Sequence, residues 1–397
     1  MVKRYPDYDL SNRNTFRMRV RCALYVELTE EADLEALDWN ALPQPVMVMG
    51  GGSNLLFTKD FPGTVLHYAE GAASYTYPGV DKPAEGSTFC HVTVPAGVVF
   101  DDFCAWAAEE GLWGPENLSL IPGEVGASAV QNIGAYGVEA KDIIAEIRAW
   151  DRLEGRFVTI DPADCAYGYR TSKFKTEWKG RYIITAVTYR LSYIPQPKLD
   201  YGGVRKALEL QGVRVIPPEA CPPPDEYRGR GPLTAVLQQE EGGAGAERSV
   251  AESSGAPTAT PLTPQIIRNT IIDIRNQKLP DPQEVGSAGS FFCNPVISKE
   301  HFQRIVAIAQ EENGPDYQVP HFEVGDQIKV PAAWMIDQCG FKGAVNGGAQ
   351  VYPKQPLVIV NASGSATPEE IIGLEKRVID TIAAKYGIIL HPEVEHV

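Results

Sequence analysis

Apolar residues recur along this chain with two different periods, which predict strands and helices within one mixed fold. The segments 88–94 and 181–191 alternate apolar and polar residues, as half-buried strands do. The segment 99–110 instead spaces its apolar residues three and four positions apart and ends at Gly111, as an amphipathic helix does. Because both periods are strong, we expect an α+β fold.

The same patterns predict further elements along the whole chain. A start signal at Thr263-Pro264 opens one helix, and Ser365 and Thr367 precede another. The remaining strand predictions are 23–28, 46–49, 65–69, a hairpin of 143–151 with 156–160, 291–297, 357–361, and a strand from 387 that precedes a tail. These two helices are predicted at 263–276 and 368–386, and the remaining helix predictions are 30–37, 204–210, 299–312 and 332–339.

Residues 212–262 interrupt this pattern. Proline pairs and triplets are followed by a tract of Gly, Ala, Glu and Ser, with few large apolar residues. Such a composition cannot bury enough apolar surface to order itself. We expect a mobile, low-complexity insertion that carries no chemistry.

The run IPGEVGASAVQNIGAYGVE at 121–139 is rich in glycine and alanine and nearly uncharged. Small residues let a backbone approach a flat or anionic ligand, and Gln131 and Asn132 add polar side chains. We interpret the run as a ligand-wrapping loop. A surface connector is the alternative, but connectors are usually more polar.

A second glycine run, GGGSN at 50–54, follows a short apolar strand. A strand, a glycine turn and a small hydroxyl can form a phosphate cradle of backbone amides. The run is neither a GxGxxG fingerprint nor a P-loop, because its spacing differs and no lysine follows it. Two such runs indicate a long, flat, phosphate-bearing cofactor that lies across both.

Several motifs occur in an order that is similar to one enzyme family. They are GGGSNLLF (50–57), IPGEVGASAVQNIGAYGVEAKD (121–142), GYRTSKFK (168–175), GSAGSFFCNPV (286–296), AAWMIDQCGFKG (332–343) and HPEVE (391–395). Together they resemble the UDP-N-acetylenolpyruvoylglucosamine reductases, the FAD enzymes of bacterial cell-wall precursor synthesis. The resemblance covers most of the chain outside 212–262.

The resemblance implies a particular domain organisation. A two-lobe FAD-binding region, of the type found in p-cresol methylhydroxylase and vanillyl-alcohol oxidase, precedes a C-terminal α+β substrate-binding domain. We therefore expect FAD-binding lobes at 1–78 and 79–283, the latter with the insertion. The substrate-binding domain is expected at 284–390, and a tail at 391–397 that returns to the active site.

Composition limits the partners. The net charge of −15 over 397 residues disfavours nucleic acid and acidic membranes as partners. The seven cysteines include no CxxC pair, so we expect free thiols and no metal site. Neither a signal peptide nor a membrane-spanning apolar run is evident. We expect a cytoplasmic monomer that acts on a small molecule.

By resemblance, the enzyme passes a hydride from NADPH through FAD to the enolpyruvyl group of UDP-N-acetylglucosamine enolpyruvate, which gives UDP-N-acetylmuramate. The resemblance assigns three catalytic residues. Arg170 would stabilise the developing enolate, Glu393 would assist it, and Ser290 would donate the proton. From the residues alone, Arg170 reads as a surface arginine and Ser290 as a turn or N-cap residue. Glu393 lies in a tail of the kind that is usually disordered, but the apolar run 388–390 before it suggests that this tail is anchored as a strand.

The glycine runs and the resemblance together give the expected FAD contacts. FAD should be bound noncovalently, since neither run contains His or Cys. The cofactor-binding residues are Gly50, Gly51, Gly52, Ser53, Asn54, Pro122, Gly123, Gly126, Ala127, Ser128, Gln131, Asn132, Gly134, Ala135, Tyr136 and Gly137. The triplet Asn14-Thr15-Phe16 also resembles a family segment that borders the flavin. A solvated N-terminal arm is the alternative for that triplet.

The resemblance also indicates substrate contacts. Tyr201 matches a mobile tyrosine that covers the diphosphate and marks the family's longer, first subtype. Lys278, Asn294, Lys342 and Gln355 fall in segments that border the nucleotide, although solvated surface lysines are the alternative for Lys278 and Lys342. The sequence departs from the family pattern at Cys293, Tyr352, Pro353 and His391.

Two other functions remain open at this point. One is an FAD-linked oxidase or dehydrogenase of the same fold that acts on another alcohol or sugar. Such an enzyme would not need the Ser290 and Glu393 motifs. The other is a noncatalytic nucleotide-sugar binder, which would hold no flavin and would therefore be colourless.

Overall fold

The computed structural model describes residues 2–69, 87–214 and 260–397. In these ranges the helices are α1 (Glu31–Glu35), α2 (Phe100–Glu109), α3 (Val125–Gln131), α4 (Val204–Leu210), α5 (Pro264–Lys278), α6 (Lys299–Asn313), α7 (Ala332–Gln338) and α8 (Pro368–Tyr386). The strands are β1 (Lys3–Asp9), β2 (Arg21–Leu28), β3 (Val46–Val48), β4 (Leu55–Leu56), β5 (Phe61–Tyr68), β6 (Phe89–Pro95), β7 (Gly134–Ala135), β8 (Val138–Glu139), β9 (Ile144–Asp151), β10 (Arg156–Ile160), β11 (Tyr182–Ser192), β12 (Val213–Arg214), β13 (Thr260–Pro261), β14 (Gly286–Ser287), β15 (Val296–Ser298), β16 (Phe322–Val324), β17 (Gln327–Lys329), β18 (Val345–Asn346), β19 (Ala349–Val351), β20 (Ile359–Asn361) and β21 (Glu395–His396). None of the described helices is long and apolar enough to cross a membrane.

The chain folds into two compact units. The first unit consists mainly of Leu28–Leu37 and the described part of His67–Arg275. Its central sheet has the antiparallel order β10-β9-β11-β6, and α3 packs on β11. The predicted hairpin is confirmed as β9 and β10, and the helix predicted at 99–110 is confirmed as α2.

The prediction of a loop throughout 121–139 is wrong, because the run contains α3. Val125 and Ala129 are buried on its inner face. A Cβ on Gly126 would lie only 2.9 Å from the Cβ of Ala96, so the glycine allows close packing of this helix. Small residues allow close packing of a helix as well as close approach of a ligand. The sequence alone does not show which of these two roles a run of small residues has.

The second unit consists of Lys3–Glu27, Asp38–Leu66 and Asn276–Val397. Its core joins N-terminal residues such as Phe16 and Met18 to C-terminal residues such as Phe291 and Leu374. The sheets include β14-β20-β19-β18 and β15-β17-β16. The helix predicted at 368–386 is confirmed as α8, whose Thr367 and Glu370 form a capping box.

The N-terminal segment is not a solvated arm. β1 pairs antiparallel with β2, and Asn14 and Phe16 are buried. The Asn14 side chain donates to the Leu10 carbonyl and accepts from the Met18 N–H, both at 2.8 Å. β1 itself is almost entirely exposed, so its residues show no alternation that could have predicted a strand.

Two strand predictions near the C-terminus are wrong. The strand predicted at 291–297 is confined to β15, and the strand predicted from 387 lies instead in the tail, as β21. Ile388 and Leu390 are buried while Ile389 is 65% exposed, which imitates the alternation of a strand. The regular pairing is parallel, between β21 and β4, and it depends on residues far away in sequence.

The ends of the predicted insertion 212–262 are ordered, because β12 pairs in parallel with β13. Residues 215–259, which form most of it, lie outside the described residues. The division of the chain into lobes at 1–78, 79–283, 284–390 and 391–397 stays a prediction.

Candidate active site

Three motifs of the second unit meet at the C-terminal tail. The Glu393 N–H donates to the Phe291 carbonyl at 2.8 Å, and the Glu393 carbonyl accepts from Asn54 Nδ2 at 3.0 Å. The Glu395 N–H donates to the Asn54 carbonyl at 3.0 Å. Glu393 is therefore held between the glycine turn 50–54 and the residue that follows Ser290. The expected anchoring of the tail is confirmed, because backbone hydrogen bonds hold it, although the regular strand pairing lies in β21.

Gly52 fixes the shape of the glycine turn. Its φ of +61° lies in the left-handed region, and a Cβ there would be 2.1 Å from the Arg13 carbonyl oxygen. The Gly52 carbonyl accepts from the Thr15 N–H at 3.2 Å. Only glycine fits this close approach of two backbones. The buried segment around Asn14 thus supports the turn directly.

Ser290 lies in a tight turn between a left-handed glycine and two buried aromatic residues. Gly289 has a φ of +72°, and Phe291 and Phe292 are 0% and 1% exposed. The Ser290 side chain is half-buried, and within the described residues its hydroxyl makes no hydrogen bond. The backbone is therefore rigidly placed while the hydroxyl remains available to a ligand.

An ion pair holds the end of the tail against α8. His396 Nε2 lies 3.2 Å from Glu375 Oε2, and Glu375 is 6% exposed. The hydrogen bond to Glu375 raises the pKa of His396 above the ordinary value of 6.5. Because burial makes the unpaired carboxylate costly, the protonated imidazole is the form that stabilises the tail.

This raised pKa predicts a pH-dependent stability. The stabilisation by protonated His396 is fully present below the unfolded-state pKa, and it is lost as the pH rises through the higher folded-state pKa. We expect the melting temperature of the wild type to exceed that of His396→Gln at about pH 5.5, and the difference to shrink by about pH 8.5. The double variant Glu375→Gln/His396→Gln is the control. Once Glu375 is replaced, the effect of His396→Gln on the melting temperature should no longer depend on pH. A difference that is constant with pH would contradict the prediction.

Arg170 occupies a left-handed position in the first unit, with a φ of +57°. Its guanidinium donates to the Gly134 carbonyl and lies 5.1 Å from the centroid of the Tyr169 ring. A Cβ on Gly134 would approach the Arg170 guanidinium to 2.7 Å, so the glycine makes room for it. Two neighbours thus orient this side chain, which is not a mobile surface arginine.

Arg275, near the end of α5, is a second cation beside Arg170 that the motifs did not indicate. Burial raises the pKa of Tyr136, an effect that the nearby Arg275 opposes, and the Arg170 and Arg275 charges interact. Burial lowers the pKa of Arg275, and the Arg170 charge lowers it as well. Burial raises the pKa of Tyr201, and the Arg170 charge opposes that rise. The Arg275 Nε is buried without a hydrogen-bond partner among the described residues. An unpaired buried donor requires an explanation, and a ligand acceptor is one such explanation.

A signal for Arg275 was present in the sequence. Ile267, Ile271 and Ile274 define the buried face of α5, and Arg268 and Arg275 lie seven residues apart along the same face. Arg268 is 8% exposed and pairs with Asp101 through bonds of 2.5 and 2.9 Å. Charged residues on an apolar stripe require partners, so the second arginine could have been selected as a ligand contact.

Comparison with known proteins decides the family. A UDP-N-acetylenolpyruvoylglucosamine reductase of Bacteroides fragilis is 39% identical over 393 residues, which cover 98% of this chain and 99% of that protein. The chain belongs to the UDP-N-acetylenolpyruvoylglucosamine reductase family. A reductase of the same name from Porphyromonas gingivalis is 37% identical over 393 residues, covering 98% of each chain.

The domain matches agree with this assignment. Residues 281–397 match the UDP-N-acetylenolpyruvoylglucosamine reductase C-terminal domain, and residues 22–161 match an FAD binding domain. The crystal structure of a UDP-N-acetylenolpyruvylglucosamine reductase from Thermus caldophilus is 19% identical with a TM-score of 0.58, over 100% of this chain and 98% of that one. It shows the same fold. The predicted family, the α+β class with its FAD-binding region, and FAD as cofactor are confirmed.

The residues predicted to bind FAD in this reductase divide into two groups. Some are used within the first unit: the Gly126 N–H donates to the Ala96 carbonyl at 2.9 Å, and the buried Ser128 hydroxyl pairs with Tyr189 at 2.8 Å. The Asn132 side chain is 0% exposed and bonds to Gly168, Glu139 and Lys141. These groups hold the run in place, and contacts from them to FAD stay predictions.

The glycine turn 50–54 is the second group, and its contact with an FAD diphosphate stays a prediction. Its internal bonds use the carbonyls of Gly52 and Asn54, which accept from Thr15 and Glu395. A diphosphate requires N–H donors, and these bonds do not consume them. Gly50, Gly51 and Ser53 complete the same turn. In the other run, Pro122, Gly123, Ala127, Gly134, Ala135 and Gly137 stay predictions.

The predicted substrate residues of the reductase lie in different surroundings. Lys278 and Lys342 are exposed, at the end of α5 and in the turn after α7. Asn294 accepts from the Ala332 N–H at 2.9 Å, so its oxygen secures the start of α7. Gln355 lies in the turn between β19 and β20. Their contact with the nucleotide stays a prediction.

Proposed function

We propose that this chain reduces UDP-N-acetylglucosamine enolpyruvate to UDP-N-acetylmuramate, with NADPH as the hydride donor, in peptidoglycan precursor synthesis. Its full-length similarity to named reductases supports the reaction. The observation that carries the proposal is the tail: backbone bonds at 2.8 and 3.0 Å hold Glu393 between the Ser290 loop and the glycine turn.

The reaction defines what the protein residues must do. Bound FAD supplies hydride transfer from NADPH to the terminal carbon of the enolpyruvyl group. Negative charge then develops toward the substrate carboxylate. Arg170 is proposed to stabilise that charge with its oriented guanidinium, and Glu393 is proposed to donate a hydrogen bond from its protonated carboxyl to the same group. Ser290 is proposed to give its proton to the carbon beside the carboxylate.

The remaining predicted residues are proposed to bind rather than to react. Tyr201 would cover the diphosphate, and Lys278, Asn294, Lys342 and Gln355 would contact the nucleotide. Arg275 joins them as a second cation, because its buried Nε has no hydrogen-bond partner in the described ranges. A monomeric state and a cytoplasmic location complete the proposal.

The first test concerns the cofactor. The purified protein should be yellow, with an absorbance maximum at about 450 nm, and acid denaturation should release FAD into the supernatant. Noncovalent binding is expected because neither glycine run contains His or Cys. Colour that stays with the precipitate would contradict noncovalent binding. A colourless protein that still binds the nucleotide-sugar would favour the noncatalytic alternative.

The second test concerns the substrate. The enolpyruvyl nucleotide should reoxidise the NADPH-reduced enzyme and yield one lactyl ether for each NADPH consumed. An oxidase of the same fold would instead be reoxidised by oxygen alone, with no effect of the nucleotide. Stopped-flow measurement at the flavin absorbance separates the two outcomes.

A further inference from the structure

Two tyrosine-bearing loops of the first unit interlock through glycines. We define the cofactor loop as residues 134–137 and the substrate loop as residues 198–202. Gly202 has a φ of +69°, and a Cβ there would lie 2.6 Å from the Tyr136 ring. Gly137 has a φ of +83°, and a Cβ there would lie 3.4 Å from the Tyr201 Cβ. Each loop therefore places a glycine where the other places its tyrosine.

The Asn117 side chain forms hydrogen bonds with both loops. Its side chain is 0% exposed, and its Nδ2 donates to the Tyr136 carbonyl at 2.8 Å and to the Lys198 carbonyl at 2.7 Å. One primary amide nitrogen carries two N–H groups, so a single side chain satisfies a carbonyl in each loop. Neither Asp nor Leu can replace it, because neither has an N–H group.

The tyrosines of the two loops lie near two arginines, Arg170 and Arg275. Tyr136 is close enough to Arg275, and Tyr201 to Arg170, for each tyrosine to interact with the charge of its arginine. A shift of one loop must therefore move the tyrosine of the other against its arginine. Packed elements of this kind transmit displacement because they cannot deform continuously.

We propose that two features couple the position of the substrate loop to that of the cofactor loop: the Asn117 side chain and the interlock at Gly137 and Gly202. Binding of FAD then orders Tyr201 before the nucleotide-sugar binds. Asn117 and Gly202 are positioning residues. The assignment of the two loops to FAD and substrate rests on the proposed function. The coupling itself rests on these contacts.

The decisive experiment compares Gly202→Ala with Gly203→Ala. Both glycines have left-handed backbones, with φ values of +69° and +81°, so both variants incur the same kind of backbone strain. Only the methyl at position 202 meets the Tyr136 ring, because nothing lies within 4 Å of a Cβ at 203. Gly203→Ala is therefore the matched control.

Hydrogen–deuterium exchange provides a readout that is independent of turnover. In the wild type, adding FAD to the apoprotein should protect the amides of 199–202. Gly202→Ala and Asn117→Asp should lose most of this protection, while Gly203→Ala should keep it. In steady-state assays the two positioning variants should raise KM for the enolpyruvyl nucleotide by about tenfold, the loss expected for one hydrogen bond, with little change in kcat.

Two results would overturn the proposal. One is wild-type FAD protection of 199–202 in both Gly202→Ala and Asn117→Asp. The other is an equal loss in Gly202→Ala and Gly203→Ala, which would indicate backbone strain alone. If Asn117→Asp does not fold, as judged by circular dichroism, the glycine pair decides. If the wild type itself does not reduce the enolpyruvyl nucleotide, the proposed function fails, while the exchange experiment still tests the coupling.

Discussion

Ser290→Ala should leave the reduction of FAD by NADPH nearly unchanged and slow its reoxidation by the enolpyruvyl substrate ~10²- to 10⁴-fold, the usual contribution of a positioned proton donor. The first half-reaction forms no carbanion on the sugar nucleotide. A donor directed at that carbanion has no part in it. The affinity for the substrate should change little, because a lost transition-state interaction lowers turnover rather than ground-state binding.

The surroundings of Ser290 make this separation measurable. Phe291 and Phe292 are buried, and the Phe291 carbonyl accepts from Glu393, so removal of one oxygen should not release the loop. Ser287→Ala changes a 2% exposed serine of the same motif and serves as the control for local disturbance. We expect that control to affect both half-reactions equally and only by a few-fold.

Stopped-flow absorbance follows the two half-reactions separately. If Ser290→Ala slows flavin reduction as much as reoxidation, the serine supports the cofactor site and another group donates the proton. If neither step slows, water or a neighbouring side chain supplies the proton. A solvent isotope effect on reoxidation that disappears in the variant would further support Ser290.

Local patterns predicted the regular elements well and the long-range pairings poorly. α8 was predicted at its observed bounds because its cap, its apolar stripe and its final glycine all lie within the helix itself. β21 was missed because its partner β4 lies 340 residues earlier, Glu395 pairing with Leu55, and no local pattern encodes that register. β1 was missed because its exposed residues carry no alternation.

Candidate site residues could be proposed from the sequence where they belong to a motif, but not where they are defined by packing. Ser290 and Glu393 come from recognisable motifs, and the structure places their loops side by side. Arg275 and Asn117 belong to no motif. The position of Arg275 on the isoleucine face of α5 could have singled it out, whereas the doubly bonded amide of Asn117 becomes meaningful only once the neighbouring loops are known. Gly126 shows the converse, since a glycine chosen as a ligand contact packs a helix.

Arg170→Lys should slow reoxidation by about 10²- to 10³-fold, although the charge is kept. The guanidinium is planar and is oriented by the Gly134 carbonyl and the Tyr169 ring. It can therefore present two parallel N–H groups to a carboxylate, whereas an ammonium offers a point charge on a flexible stem. Arg170→Met should be slower still. Flavin reduction should be nearly unaffected in both, because no charge develops on the substrate during that step.

Arg156→Lys is the matched control for this substitution. Arg156 lies in β10 with its side chain 64% exposed and bonds to Glu154, so the same chemical change there should alter neither half-reaction. FAD affinity should be measured in each variant, since loss of the Gly134 contact could loosen the β7–β8 hairpin. A strong fall in FAD affinity with normal reoxidation at saturating FAD would make Arg170 a support of the hairpin instead.

A double-mutant cycle with Glu393→Gln separates a shared role from two independent ones. If Arg170 and Glu393 stabilise the same developing charge, removing one of them already loses much of the stabilisation to which the other contributes. The combined loss should then be clearly smaller than the product of the single losses. Multiplicative losses in reoxidation would show that Arg170 and Glu393 act on different steps or groups. The proposal that the Arg170 guanidinium and the Glu393 carboxyl stabilise the same charge would then be wrong.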